Sequence, residues 1–198
     1  MWQEVVPNQK QGNMKIYCDS DWAADKKTRK SCSCAVITVS GVVLATFVRG
    51  QRVQALSSAE AEFYAAVMGV AEAMHLQQVL GWLGEFHRLE VFSDSSAARS
   101  VLSREGVGKI RHLEVKLLWI QSLVKDGRLL VSKVNGNDNV ADIGTKPLGP
   151  MLFAKHRRSM GLIEGPLPNH SNCAAVFTHL GGGPRLGEEV PKQHLQRA

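Results

Sequence analysis

The sequence predicts an α/β domain in which three consecutive strands precede the first helix. Two observations lead there. Three short β-prone runs, Met14 to Cys18, "CAVITVS" and "VVLATFV", come before any helical pattern. After them the pattern alternates: a long stripe of apolar residues at helical spacing, a fourth β-prone run, two further helical stretches and a fifth β-prone run. Alternation of this kind belongs to layered α/β architectures.

The elements follow in order. The first strand ends at the acidic turn of "NMKIYCDSDW", and a polar, basic stretch from Asp25 to Ser33 separates it from the second. Ser40-Gly41 joins strands two and three as a hairpin turn. From Ala59 to Leu83 the apolar residues Phe63, Val67, Val70 and Met74 recur every three or four positions, which predicts one long helix. Ser57 followed by Glu60 fits a capping box at its start, so Glu60 is read as a cap. "RLEVFSD" is the fourth strand, "SSAARSVL" a short helix, and "HLEVKLLWIQSLVKDG" an amphipathic helix stopped at Gly127. "RLLVSKV" is the fifth strand, and a last helix is expected to start near Ala141. The order is βββαβαβα.

With 198 residues, 44% of them hydrophobic, the chain can bury one good core. Residues 1–13 read as a lead-in and 14–163 as the domain. Residues 164–198, scattered with Gly and Pro and weak in periodicity, read as a flexible C-terminal tail. A formal charge of +6 favours a polyanionic partner. There is no apolar run of membrane-spanning length, and "MWQEVVPNQKQGNMK" lacks the basic-then-apolar order of a signal peptide. The expectation is an intracellular protein, cytoplasmic or nuclear, not secreted and without a membrane partner. Cys18, Cys32, Cys34 and Cys173 are too few and too irregular for a disulfide framework or a zinc site, and are read as reduced, packed thiols.

Four acids fall at element ends: Asp19 after strand one, Glu62 in the first turn of the long helix, Asp94 after strand four and Asp142 at the predicted start of the last helix. Two readings are open. Carboxylates at helix N-termini can be caps. Four carboxylates brought into one cleft would repel one another and are tolerable mainly around divalent cations, and all-oxygen ligands favour Mg²⁺ or Mn²⁺.

The segments "YCDSDWAADKKTRKSCSCAVI", "ALSSAEAEFYAAV", "LEVFSDSSAA", "RHLEVKLLWIQSLVKDG" and "NVADIGTKPL" resemble, in order and spacing, the ribonuclease H domain of copia-type retrotransposon Pol polyproteins. The resemblance runs from about residue 14 to 163. It implies a ribonuclease H-like fold with a five-stranded mixed sheet in the order 3-2-1-4-5, flanked by helices. It also implies an endonuclease that hydrolyses the RNA strand of RNA–DNA hybrids with two Mg²⁺ (or Mn²⁺) ions. Asp19, Glu62, Asp94 and Asp142 become the catalytic, metal-binding set, and Lys30, Ser31, Arg111, His112 and Lys116 the substrate contacts. Asp21 stays outside the set, as a partner of the ligands or a cap for the following turn. Two segments depart from the family pattern: "KSTSG" reads "KSCSC", and "ADILTK" reads "ADIGTK". The chain carries no reverse transcriptase sequence, so the expectation is a fragment of a Pol polyprotein or a stand-alone derivative.

Two basic groups, Lys26–Lys27–Arg29–Lys30 and Arg104–Lys109–Arg111–Lys116, are candidates for backbone contact with the hybrid or are solvated surface. A second function class is a catalytically idle ribonuclease H-fold module that binds nucleic acid or a partner. A transposase or integrase on the same fold is a weaker third, because those place their last acid as Glu in a later helix. Limited proteolysis is expected to remove the segment beyond residue 163 and leave a core that melts cooperatively. Loss of the cooperative transition on truncation would contradict that boundary.

Overall fold

A computed structural model describes residues 12–104 and 114–162. Five strands, β1 (Asn13–Ser20), β2 (Cys32–Val39), β3 (Val42–Gly50), β4 (Arg88–Ser93) and β5 (Leu129–Lys133), form one sheet in the order β3-β2-β1-β4-β5. β1–β2 and β2–β3 pair antiparallel, while β1–β4 and β4–β5 pair parallel. The four α-helices are α1 (Ser58–Trp82), α2 (Ser96–Ser103), α3 (Glu114–Lys125) and α4 (Pro150–Ser159). The order and the mixed sheet are those expected. The lead-in before residue 12, the tail from residue 164 and residues 105–113, with Lys109, Arg111 and His112, lie outside the described residues.

Local chemistry explains the connections. Ser40 and Gly41 both take positive φ, 52° and 81°, as a two-residue hairpin whose twist matches the strands requires. At the start of α1 the Ser57 hydroxyl accepts from Glu60 N at 3.2 Å. The Glu60 carboxylate reaches back to Leu56 N at 2.9 Å, one residue earlier than a standard capping box.

The main core lies between the sheet and α1, α2 and α3: Met14, Ile16 and Cys18 of β1, Ala35 and Ile37 of β2, and Phe63 and Val70 of α1 meet Leu102, Ile120 and Leu129. Gly69 lets α1 approach closely, since a Cβ there would sit 2.7 Å from the Cys18 Sγ and 3.0 Å from an Ile16 methyl. A smaller cluster on the opposite face joins Cys34 and Val36 to Val140 and Ala141.

One expectation is corrected. The last helix does not begin near Ala141: residues Val140–Gly144 form a 3-10 turn, and α4 starts only at Pro150. Pro147 supplies no N–H and disfavours helical backbone at Lys146, which stops the turn from continuing. Proline is well suited to the first position of the helix that follows.

The two departures from the family pattern face each other. A Cβ on Gly144 would lie 2.6 Å from the Cys34 Sγ and 2.8 Å from a Val48 methyl. The thiol of "KSCSC" thus fills the room left open by the glycine of "ADIGTK". Overpacking at such a contact costs about 1–3 kcal/mol. Gly144→Ala is therefore expected to lower the unfolding free energy by an amount of that order, and Cys34→Ala in the same chain to restore part of it. A denaturant double-mutant cycle that finds the two changes additive would contradict the contact.

Candidate metal centre

The site is built from strand register. The parallel β1–β4 ladder aligns Tyr17 with Phe92, so Asp19 and Asp94 each follow two residues beyond that pair, at the same edge of the sheet. Asp19 is fully buried and Asp94 half-buried. Glu62, in the first turns of α1, is also buried, and Ser20 N donates to its Oε1 at 3.3 Å. The carboxylate oxygens of Asp19, Glu62 and Asp94 come within 4.8 Å of one another. Gln51 steadies the start of α1, donating from Nε2 to the Ala61 carbonyl and to the Ser33 hydroxyl, each at 2.9 Å.

Burial first, then the charges of Asp19 and Asp94, push the Glu62 carboxyl up to about 8. Burial likewise raises Asp19, against the lowering effect of Thr145 and Lys146. Glu62 Oε2 is buried with no hydrogen-bond partner. A group of three carboxylates, one of which keeps a buried oxygen without a partner, fits a divalent cation, and a donor set of oxygens alone fits Mg²⁺ or Mn²⁺. The neighbouring thiols do not compete. Burial and the Asp19 charge push Cys34 up to about 12, and burial with the Glu62 charge raises Cys18, so both remain protonated.

Asp142 reaches the same end of the sheet by another route. The fully buried Asn139 donates from Nδ2 to the Cys18 carbonyl at 3.0 Å, and its Oδ1 accepts from Ala141 N at 3.3 Å. Asn139 thereby anchors the 3-10 turn to the end of β1. Asp142 stands apart from the three-carboxylate group, because the Lys146 ammonium lies between it and Asp19, 2.9 Å from Asp142 Oδ1 and 3.0 Å from Asp19 Oδ1. The Thr145 hydroxyl donates to the other Asp19 oxygen. Partial burial acts to lower the Lys146 pKa, but hydrogen bonds to Asp142 and Asp19 and their charges raise it overall.

The role of Asp21 follows from its bonds. Its carboxylate accepts from Cys32 N and its own N–H donates to the Cys32 carbonyl at 3.1 Å, so it fastens the β1–β2 connection. In that connection Lys26, Lys27, Arg29 and Lys30 are all exposed. Ser31 is buried and its hydroxyl accepts from Ala23 N at 2.9 Å, a loop-closing bond. Lys116 is exposed on α3 with its ammonium 4.7 Å from the Tyr64 ring centroid, a cation–π contact with α1. Arg111 and His112 fall outside the described residues. Sequence reading missed Asn139, Thr145 and Lys146. The only signal was their place beside Asp142 in "NVADIGTKPL", and nothing in periodicity tells which of those side chains point inward.

No protein-family model matches the chain. The chain is 36% identical over 153 residues, 75% of its length, to the retrovirus-related Pol polyprotein from transposon TNT 1-94 of Nicotiana tabacum. It is 26% identical over 174 residues, 85% of its length, to the Pol polyprotein from transposon RE2 of Arabidopsis thaliana. These relatives come from copia-type transposons. The chain spans only 11% and 12% of their lengths. Among solved structures it is similar to the N-terminal ribonuclease H domain of a Mycobacterium tuberculosis protein, with TM-score 0.51 and 17% identity, covering 75% of this chain and 99% of that one. A ribonuclease H1 isolated from compost gives TM-score 0.50 at 20% identity, covering 66% and 91%. The fold is ribonuclease H-like. Among the described residues no helix is long and apolar enough to cross a membrane.

Because the folded protein keeps the Glu62 proton up to about pH 8 while an ordinary glutamate releases it near 4.5, the folded state binds more protons in between. Stability without metal therefore falls as pH rises through that window, by about 1.4 kcal/mol for each unit of difference. Thermal melts in chelator are expected to show this decline, and Glu62→Gln to flatten it. A melting temperature that instead rises from pH 4.5 to 8 in the parent protein would contradict the burial of this acid.

Proposed function

Taking as premise a ribonuclease H-like chain similar to part of copia-type Pol polyproteins, we propose that it is a retrotransposon ribonuclease H that hydrolyses the RNA strand of RNA–DNA hybrids. The observation that carries this reading is the convergence of Asp19, Glu62 and Asp94, with one buried Glu62 oxygen left without a partner. Asp19, Glu62, Asp94 and Asp142 would hold two Mg²⁺ or Mn²⁺ ions. When bound, such ions supply Lewis acidity that activates a water and stabilises the departing 3′-oxygen, leaving 5′-phosphate ends on the products.

The protein's own residues do the remaining work. Asp19 and Glu62 are buried, so the charge they carry once a cation takes the place of the Glu62 proton would be little screened by solvent. Half-buried Asp94 is the acid of the three most open to an incoming phosphodiester. No side chain forms a covalent bond to the substrate in this scheme. The exposed lysines and Arg29 of the β1–β2 connection, with Lys116 on α3, would contact the hybrid backbone, a recognition of shape and 2′-hydroxyl that needs no base reading. Arg111 and His112 complete the proposed substrate set.

One observation favours the idle nucleic-acid-binding module instead: the Lys146 ammonium already pairs with both Asp19 and Asp142. A labelled hybrid separates the two readings. With Mg²⁺ or Mn²⁺ the parent protein is expected to cut the RNA strand, and Asp94→Asn to lose that cleavage while retaining its melting temperature and its binding of the hybrid. An intact hybrid that the parent protein nevertheless binds would make the module the correct reading.

A further inference from the structure

The four acids are not equivalent, and what separates them is Lys146. Its ammonium lies 3.0 Å from Asp19 Oδ1 and 2.9 Å from Asp142 Oδ1, in the gap that a cation shared by those two carboxylates would fill. Asp19 also comes together with Glu62 and Asp94, their carboxylate oxygens within 4.8 Å of one another, and Glu62 Oε2 is buried without a partner. We infer that Lys146 is a built-in cation that holds the Asp19–Asp142 half of the centre, so that one divalent ion binds tightly beside Glu62 and Asp94 while a second must displace the ammonium.

Burial and chain geometry support this. Asp19 is fully buried and the Asp142 side chain is 8% exposed, so without a counter-charge two buried carboxylates would face each other. The Lys146 side chain is 41% exposed, entering from the solvent edge on a flexible stem, so it can leave without disturbing the core. Its backbone stays in place, because Lys146 N donates to the Asp142 carbonyl at 3.0 Å and Pro147 follows it. Thr145 holds the second Asp19 oxygen, which keeps that carboxylate oriented whichever cation lies beside it. Lys146 is in these terms a positioning residue: it touches the acids and not the substrate.

The inference rests on the four acids being metal ligands, and metal titration tests the two ideas separately without reference to cleavage. Mn²⁺ is titrated into the full chain by calorimetry and by electron paramagnetic resonance of free Mn²⁺. The parent protein is expected to take one ion tightly and a second roughly tenfold or more weakly, as a coupling of ordinary size would give. Lys146→Gln should tighten the second ion selectively, and Lys146→Arg, which keeps the charge, should leave it weak. In chelator, Lys146→Gln should also melt below the parent protein and recover more on adding Mn²⁺. Two ions of equal affinity in the parent protein, unaffected by Lys146→Gln, would overturn the inference and leave the four-acid metal centre standing. Failure of both the parent protein and Lys146→Gln to bind Mn²⁺ would overturn both.

Discussion

The parallel pairing of β1 with β4 is the constraint on which the rest of the molecule depends. It joins the antiparallel half of the sheet to the parallel half, and it aligns two strands whose acids stand the same distance beyond the last matched pair, Tyr17 and Phe92. A slip of one residue would turn Asp19 or Asp94 to the other face of the sheet. The register is held by burial on both faces: Met14, Ile16 and Leu89 enter the main core, while Tyr17 stacks on Phe92 on the other side, ring centroids 5.0 Å apart.

On that ladder the protein accumulates negative charge where water is scarce. Glu62 descends on α1, which lies close to β1 because Gly69 has no side chain, and Asp142 arrives through a turn pinned by Asn139. Each approach brings a carboxylate nearer to others, and each added charge makes ionisation of its neighbours harder. Part of the repulsion is answered inside the chain by Lys146 and Thr145. The rest, on the Glu62 side, is answered by a proton when no metal is bound. Under the proposed function, a divalent cation bound there would take the place of that proton and relieve the same repulsion.

The opposite face of the sheet follows the same logic of close approach. Gly144, in the turn that carries Asp142, brings its backbone close to Cys34. Two positions that look like independent oddities in the sequence, a cysteine on β2 and a glycine in the turn, are one packing arrangement. Asp142 and Gly144 share a single turn.

Strand runs, the Ser40-Gly41 hairpin, the stripe of α1 and the candidate acids are legible in the sequence because they follow from periodicity, turn chemistry and motif spacing, all properties of neighbouring residues in the chain. The capping role of Glu60 is readable there too, although Glu60 grips Leu56 N rather than the cap residue itself. The start of the last helix is misread although Pro147 marks the break locally. What is not legible is that Gly144 is required by Cys34, a residue 110 positions away. Nor are the roles of Asn139, Lys146 and Thr145, whose partners Cys18 and Asp19 lie more than 120 positions distant. Sequence by itself determined which elements form and which acids they carry, since local spacing governs both. Only tertiary structure decided that three carboxylates share a site while the fourth is held by a lysine, because that depends on which charges burial forces together.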